Sequence, residues 1–162
     1  KGISYLIRAM KHVRKGMKLL LVGDGPDRTD YEALARRLGV SERIVFLGRL
    51  GWEEKYSVQR SADVAAIPTL YDTASMFFSE CLACDVPVVS FDMPFWKGIY
   101  DDAALFVEKD PVSLARGIEM LTDDSGLRKR LMTRGRRCAE DFDVEKCVSK
   151  HVALYQKALK MK

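Results

Sequence analysis

Short apolar runs alternate with longer amphipathic segments along most of the chain. Five of these runs have the length of β-strands and are almost continuously apolar. Such runs are typical of parallel strands that helices cover on both faces. The predicted strands are Lys18–Gly23, Arg43–Gly48, Asp63–Pro68, Val86–Phe91 and Ala103–Val107.

Segments with helical periodicity occupy the stretches around these strands. The first five predicted helices are Ser4–Val13, Asp30–Leu38, Glu53–Ser61, Met76–Cys84 and Pro94–Tyr100. Three more follow the last strand: one behind Pro111 with the apolar repeat Leu114, Ile118 and Leu121, then Ser125–Glu140 and Val144–Lys160.

The alternation of strands and helices predicts the α/β fold class, with a Rossmann-like, doubly wound parallel sheet and helices on both faces. Sheets of this kind bind ligands outside the carboxyl ends of their strands. The 162 residues suffice for one domain with a sizeable core, and no repeat or linker divides them. The sequence therefore predicts a single domain over residues 1–162.

The formal net charge is +4 and is spread along the chain. Such a surplus suits anionic ligands such as phosphates, or an anionic membrane surface, although an ordinary basic surface explains it equally well. No block of interleaved basic and aromatic residues indicates nucleic-acid binding. No apolar run approaches the roughly 20 residues that a membrane-spanning helix needs.

The sequence contains few candidates for metal or redox chemistry. Cys81 and Cys84 form a C-x2-C pair inside a predicted helix, and Cys138 and Cys147 provide no matching second pair. Buried, reduced thiols of a cytosolic protein explain them better than a zinc site. The turn Gly23–Pro26 lacks the third glycine of a dinucleotide-binding fingerprint, and no G-x-S-x-G motif indicates a hydrolase.

The segment Tyr71–Val89 is the most informative part of the chain. It places Asp72 and Glu80 on either side of a predicted helix start, directly before a buried strand. It resembles the E-x7-E signature of the retaining, group 1 (family 4-like) glycosyltransferases, in which both acidic positions are glutamate. The matching positions are Tyr71, Glu80, Ala83, Cys84, Val86, Pro87, Val88 and Val89. Asp72 replaces the first glutamate, and Thr73-Ala74-Ser75 replaces the family's glycine-rich turn.

The resemblance continues over essentially the whole chain, through LLLVGDGP, ERIVFLGRL and RSADVAAIPTLYD in the family's order. It implies that residues 1–162 are the C-terminal, nucleotide-sugar-binding domain of a GT-B fold. The N-terminal acceptor domain, and the domain's own first strand just before Lys1, would then lie outside this sequence. We expect Val148, Val152 and Tyr155 of the last helix to be exposed where that other domain would pack.

The resemblance also implies roles for residues of the donor site. Glu80 would accept hydrogen bonds from the ribose hydroxyls, and the turn Thr73, Ala74, Ser75 and Met76 would hold the distal phosphate through backbone amides. An ordinary helix N-cap at Thr73 or Ser75 is the alternative interpretation of that turn. Leu50 would read the base edge through its backbone, and Lys55 aligns with a basic residue near the base.

Two further residues would act at the reaction centre. Asp72 would contact the donor sugar, but its side chain is one methylene shorter than glutamate and falls about 1.5 Å short of the same point. Lys1 matches the family's phosphate lysine, which stands in a Lys-Gly pair just before the first helix. Together with an arginine that normally lies a few residues upstream, it would stabilise the charge of the departing diphosphate. The alternatives are an aspartate that only shapes a turn and a frayed terminal lysine.

The function that the resemblance implies is transfer of a sugar from a UDP-, GDP- or ADP-sugar to a hydroxyl of a glycan or lipid-linked acceptor. It requires the N-terminal domain as partner, so we expect the isolated domain to be inactive. No metal or other cofactor is expected, and the location would be cytoplasmic or at the inner membrane face. The rival interpretations are a non-catalytic module that senses nucleotides or glycans, and an epimerase or phosphorylase of the same fold.

Overall fold

The structure, a computed structural model, describes residues 1–160. The strands in this part are β1 (Leu19–Val22), β2 (Ile44–Gly48), β3 (Ala65–Ile67), β4 (Val88–Phe91) and β5 (Leu105–Val107). The α-helices are α1 (Ile3–Ala9), α2 (Arg28–Arg37), α3 (Trp52–Ser61), α4 (Met76–Ala83), α5 (Pro111–Asp123), α6 (Ser125–Glu140) and α7 (Val144–Lys160). Every predicted strand is present, which confirms the α/β, Rossmann-like fold class.

The strands form two parallel ladders. β1 pairs with β2, and β4 lies between β3 and β5. Within the described residues, β1 and β3 share no ladder, so each has one unpaired edge. β4 is buried along its whole length, as predicted, but Leu20 and Val22 of β1 are 40% and 43% exposed. The expectation that both faces are covered is therefore wrong for β1.

Helix α1 packs against both ladders. Ile7 and Met10 lie in a buried cluster with α2 and the β1–β2 ladder, whereas Leu6 and Ala9 lie in a second cluster with β4 and α5. Gly2, just before α1, contacts Pro68 at the carboxyl end of β3. Since one helix spans both ladders, it fixes their relative position.

The far end of α1 is held by Arg43, at the start of β2. Its guanidinium donates to the carbonyl oxygens of Met10 (2.9 Å), Val13 (3.1 Å), Arg14 (2.8 Å) and Met17 (3.2 Å). Met10 is the C-cap of α1, so the guanidinium also opposes the macrodipole at that end, whereas the other three carbonyls belong to the chain after the helix. Because α1 runs from the carboxyl end of β3 to the amino end of β2, the carboxyl ends of both ladders lie on the side where α1 begins.

Helix α4 ends in a Schellman motif that leads directly into β4. The amide of Val86 donates to the Cys81 carbonyl (3.0 Å), and the amide of Asp85 donates to the Leu82 carbonyl (3.2 Å). Asp85 has a φ of 59°, in the left-handed region that usually favours glycine. Its carboxylate pairs with Arg136 of α6, with Nε and Oδ1 3.0 Å apart. This ion pair fastens the end of α4 to α6.

The predicted helix Pro94–Tyr100 is wrong. Only a 3-10 turn over Pro94–Trp96 forms, and the chain then becomes extended at Lys97 and left-handed at Gly98 (φ 75°). This path lets Trp96 and Tyr100 both pack against Phe78 of α4, whose ring centroid lies 5.2 Å and 3.8 Å from theirs. The aromatic packing replaces the helical turn that the sequence pattern predicts.

Helix α7 carries a row of apolar side chains on its surface. Val148, Val152 and Tyr155 are 54%, 46% and 65% exposed, which confirms that these three side chains are exposed. No helix within residues 1–160 is both long enough and apolar enough to cross a membrane.

Candidate functional site

Lys1 and Asp72 meet where α1 begins. The Lys1 Nζ lies 3.2 Å from Asp72 Oδ2, and Asp72 Oδ1 accepts a hydrogen bond from the Thr73 amide at 2.9 Å. The Asp72 side chain is 14% exposed, whereas that of Lys1 is 73% exposed. Two residues that the sequence predicts for the reaction centre are thus brought together from 71 positions apart.

Gly2 makes this meeting possible. Its φ is 77°, and a Cβ atom at this position would lie 2.0 Å from the carbonyl oxygen of Pro68. Only glycine allows the backbone to pass so close to the end of β3 at that φ. The close passage places Lys1 beside the turn that carries Asp72.

The Asp72 carboxyl is kept ionised by its surroundings. Burial by itself would raise its pKa, but the hydrogen bond from Lys1 and the amides of Thr73 and Ala74 outweigh burial, so the pKa lies below its ordinary value. The interaction therefore stabilises the fold above the ordinary carboxyl pKa. That stabilisation is lost as the pH falls through the lowered folded-state value.

The turn after Asp72 ends in a helix N-cap. Ser75 Oγ accepts a hydrogen bond from the Phe78 amide at 3.4 Å, and the Ser75 carbonyl accepts one from the Tyr100 hydroxyl at 3.1 Å. Within the described residues, the amides of Met76 and Phe77 donate to no protein acceptor. Ser75, rather than Thr73, therefore provides the cap, and two amides at the start of α4 stay available to an anion.

Glu80 is held from one side by α3. Its Oε1 accepts hydrogen bonds from Lys55 Nζ at 2.8 Å and from the Tyr56 hydroxyl at 3.4 Å. The side chains of Glu80 and Lys55 are 16% and 22% exposed. Burial tends to lower the pKa of Lys55, but the hydrogen bond and charge of Glu80 prevail and raise it, so the ammonium stays charged. Within the described residues Oε2 has no partner.

An exposed aromatic ring lies next to this ion pair. The Lys55 Nζ is 4.3 Å from the ring centroid of Trp52 and 4.5 Å from that of Tyr56. The two rings are stacked at 6.2 Å with an interplanar angle of 26°. Our sequence analysis missed Trp52 and Tyr56. Their spacing around Lys55 places all three on neighbouring turns of α3 and was the available signal.

Leu50 lies between β2 and α3. It is half-buried, and its amide and carbonyl take part in no hydrogen bond within the described part of the chain. The next residue, Gly51, is the N-cap of α3 and donates its amide to Glu54 Oε2 at 3.0 Å. The backbone of Leu50 is therefore held at a fixed place with its polar groups unused.

A groove of about 620 Å³ opens beside Glu80. α3 and α4 form one wall and the junction of α6 with α7 forms the other. The groove is lined by Tyr56, Met76, Ser79, Glu80, Ala83, Arg136, Ala139, Glu140, Phe142, Asp143, Val144 and Lys146. Glu80 thus faces open space that a ligand can enter.

The cysteines take no part in this arrangement. All four are free, and burial raises the pKa of the Cys81 thiol to about 12, which leaves it protonated and unreactive. Residues 1–160 contain no group of three or more histidine, cysteine, aspartate or glutamate side chains placed to hold a metal ion.

The fold and the site define a Rossmann-like domain with a polar site at the carboxyl ends of its strands. The family model for glycosyl transferases group 1 matches residues 1–137, and the chain belongs to this family. It is 30% identical over 99% of its length to an uncharacterized glycosyltransferase of Methanocaldococcus jannaschii. It is 32% identical over 92% of its length to the lipopolysaccharide core biosynthesis glycosyltransferase LpsD of Rhizobium meliloti.

Solved structures agree with this assignment. Sucrose-phosphate synthase from Thermosynechococcus elongatus superposes on the whole chain with a TM-score of 0.86 and 25% identity. HepE from Anabaena, solved in complex with UDP, has the same fold over 98% of the chain, with a TM-score of 0.84 and 21% identity. The chain spans 43% of the length of both curated relatives and of the synthase, and 45% of HepE.

Proposed function

We propose that this chain is the donor domain of a retaining glycosyltransferase, which binds a nucleoside diphosphate sugar and, joined to an N-terminal domain, transfers the sugar to an acceptor hydroxyl. The observation that carries the proposal is the way in which the Glu80 carboxylate is held. Its Oε1 is fixed by Lys55 and Tyr56, its Oε2 has no partner among the described residues, and the residue lines a groove. A carboxylate held in this way is suited to accept hydrogen bonds from the two ribose hydroxyls.

The start of α4 supports binding of the diphosphate. The free amides of Met76 and Phe77 point out of a helix N-terminus, where the macrodipole favours negative charge. Lys1 adds an ammonium group at the same side of the domain, paired there with Asp72. Structures of HepE with UDP, and with UDP-glucose, give a precedent for such a donor on the same fold.

The chemistry assigned to these groups is electrostatic. The bond between the anomeric carbon and the diphosphate oxygen breaks with its electron pair left on the diphosphate, a bond forms from that carbon to the acceptor oxygen, and the acceptor's proton passes to the leaving diphosphate. Negative charge grows on the leaving diphosphate, and Lys1 with the α4 amides stabilises it. Asp72 lies beside Lys1 and contacts the sugar from there, while the backbone of Leu50 reads the base edge. No metal ion or other cofactor is required.

The proposed domain includes one more strand, supplied by chain that precedes Lys1. The unpaired edges of β1 and β3 support this assignment, as does Gly2, which lies at the carboxyl end of β3 where a strand leading into α1 would end. Numbered from that added strand, the sheet would have the order 3-2-1-4-5-6. The exposed row on α7 would pack against the N-terminal domain.

We expect the added strand to slow amide hydrogen exchange in β1 and β3. Amides of β4, which is paired on both sides already, serve as the control. The comparison is between residues 1–162 and the same chain with its natural upstream segment, each followed by mass spectrometry. Slowing by tenfold or more, on the order expected when exposed amides join a ladder, is the expected result. Equal exchange in both proteins would refute the strand.

The donor proposal is tested by calorimetric titration with UDP, GDP, ADP and their common sugar conjugates, followed by an activity assay on the full-length protein. Saturable binding of one nucleotide together with sugar transfer is the expected outcome, with the acceptor a glycan or a lipid-linked glycan at the inner membrane face. Full-length protein that binds no nucleotide contradicts the proposal.

A sensing module of the same fold is the second candidate. The observation that favours it is the Lys1–Asp72 pair, in which each charge is already satisfied by the other. Nucleotide binding without transfer in the full-length protein, for any donor, would support this candidate. Asp72→Glu restores the family's residue at that position and is assayed alongside, since recovered transfer would show that the site is weakened rather than converted.

A further inference from the structure

We propose that the indole of Trp52 is the surface on which the base of the nucleotide stacks. This inference rests on the proposed donor function and adds a residue that determines nucleotide affinity. Trp52 is 69% exposed, although burial of a large aromatic side chain is strongly favourable. It lies at the first position of α3, two residues after Leu50.

One face of the indole is already occupied. Lys55 and Tyr56 are both near it, at 4.3 Å for the Lys55 Nζ and at 6.2 Å for the Tyr56 ring centroid. These contacts hold the ring in a defined orientation and leave its other side to solvent. An aromatic ring that is fixed on one face and open on the other is a stacking platform, and such platforms accept any base.

The ring lies next to the other groups of the proposed nucleoside site. The Lys55 ammonium connects the Trp52 ring to Glu80 Oε1, which lies 2.8 Å from it, so the ring and the carboxylate are neighbours. The unused backbone groups of Leu50 lie two residues before Trp52 in the sequence. A ribose on Glu80, a base edge on Leu50 and a base face on Trp52 are the three contacts that one nucleoside makes.

Other exposed or charged features of the molecule have partners or belong to the core. The exposed apolar row of α7 is assigned above to another domain. The basic surface of α6 is partly neutralised, since Arg134 and Arg136 pair with Asp102 and Asp85. Trp96, the other tryptophan, is 1% exposed in the core. Of the two tryptophans, Trp52 is thus the one that the core leaves exposed.

The test is intrinsic fluorescence during titration with UDP, GDP and ADP, with calorimetry in parallel. Trp52→Phe and Trp96→Phe are the matched pair of variants. We expect saturable quenching by nucleotide in the wild type and in Trp96→Phe, and loss of that quenching in Trp52→Phe. Inorganic pyrophosphate, which has no base, should cause none.

Trp52→Ala should weaken nucleotide binding by about tenfold or more, the usual loss for one stacked base, while Trp52→Phe keeps most of the affinity. Pyrophosphate affinity should stay unchanged in both variants. Nucleotide binding of unaltered affinity in Trp52→Ala overturns this inference alone. Failure of the wild-type protein to bind any nucleotide overturns the donor function and this inference together.

Discussion

Glu80→Gln is expected to weaken nucleotide binding by about tenfold to a hundredfold, the cost of losing charge-assisted hydrogen bonds to a ribose. The amide keeps the size of the side chain, but it carries no charge and has one acceptor oxygen in place of two. Calorimetric titration with the nucleotide that binds the wild type measures the loss. Glu140→Gln is the matched control, because Glu140 lines the opposite wall of the same groove and has no assigned contact to ligand.

The 2′-deoxy form of the nucleotide separates loss of the ribose contact from a general disturbance. Wild-type protein should bind the deoxynucleotide more weakly than the ribonucleotide, because one hydroxyl donor is missing. Glu80→Gln should bind both with similar affinity. If the variant still prefers the ribonucleotide by the wild-type factor, Glu80 does not hold the ribose.

Gly2→Ala is expected to lower the free energy of unfolding by about 3 kcal/mol and the Tm by about 10 °C. Two effects combine at this position. The φ of 77° is unfavourable for alanine, and the new Cβ would overlap the Pro68 carbonyl oxygen at 2.0 Å. Since that oxygen belongs to the backbone at the end of β3, α1 must move away from the strand to relieve the overlap. Thermal and urea unfolding measure the change.

Gly98→Ala provides the matched control for the second effect. Gly98 has nearly the same φ, 75°, but a Cβ there would meet no atom within 4 Å. Gly98→Ala should therefore lower the free energy of unfolding only through its unfavourable φ, by about 1 kcal/mol. Equal destabilisation by the two substitutions would mean that the close passage of Gly2 past β3 contributes nothing. A larger loss at Gly2 should also be accompanied by weaker pyrophosphate binding, since Lys1 moves with α1.

The sequence predicts most of the fold because the strands are short, apolar and separated by helices with clear periodicity. It fails at Pro94–Tyr100, where two aromatic side chains pack on Phe78 and impose a path that local spacing does not report. It also fails at the exposed face of β1. The sequence of an apolar strand shows that both of its faces are apolar. It does not show whether the second face is covered by residues of this part of the chain.

The candidate site, too, can be predicted only in part from the sequence. The placing of Lys1 and Asp72 in one site follows from the family resemblance, whereas the ion pair between them is seen only in the structure. The ion pair between Lys55 and Glu80 joins α3 to α4. Neither the sequence around Lys55 nor that around Glu80 predicts it. Asp85 is a similar case. Its left-handed backbone is fixed by the Schellman motif and by Arg136, whereas aspartate alone predicts only a turn.

The way α1 bridges the molecule has a consequence for how the domain folds. Leu6 and Ala9 pack against Leu114, Leu121 and Leu131, which lie near the other end of the sequence. Contacts between such distant residues raise the contact order of the domain, which slows folding. During synthesis, Leu6 and Ala9 of α1 therefore stay without these partners until α5 and α6 have left the ribosome. In that interval the exposed apolar surface favours aggregation of the nascent chain.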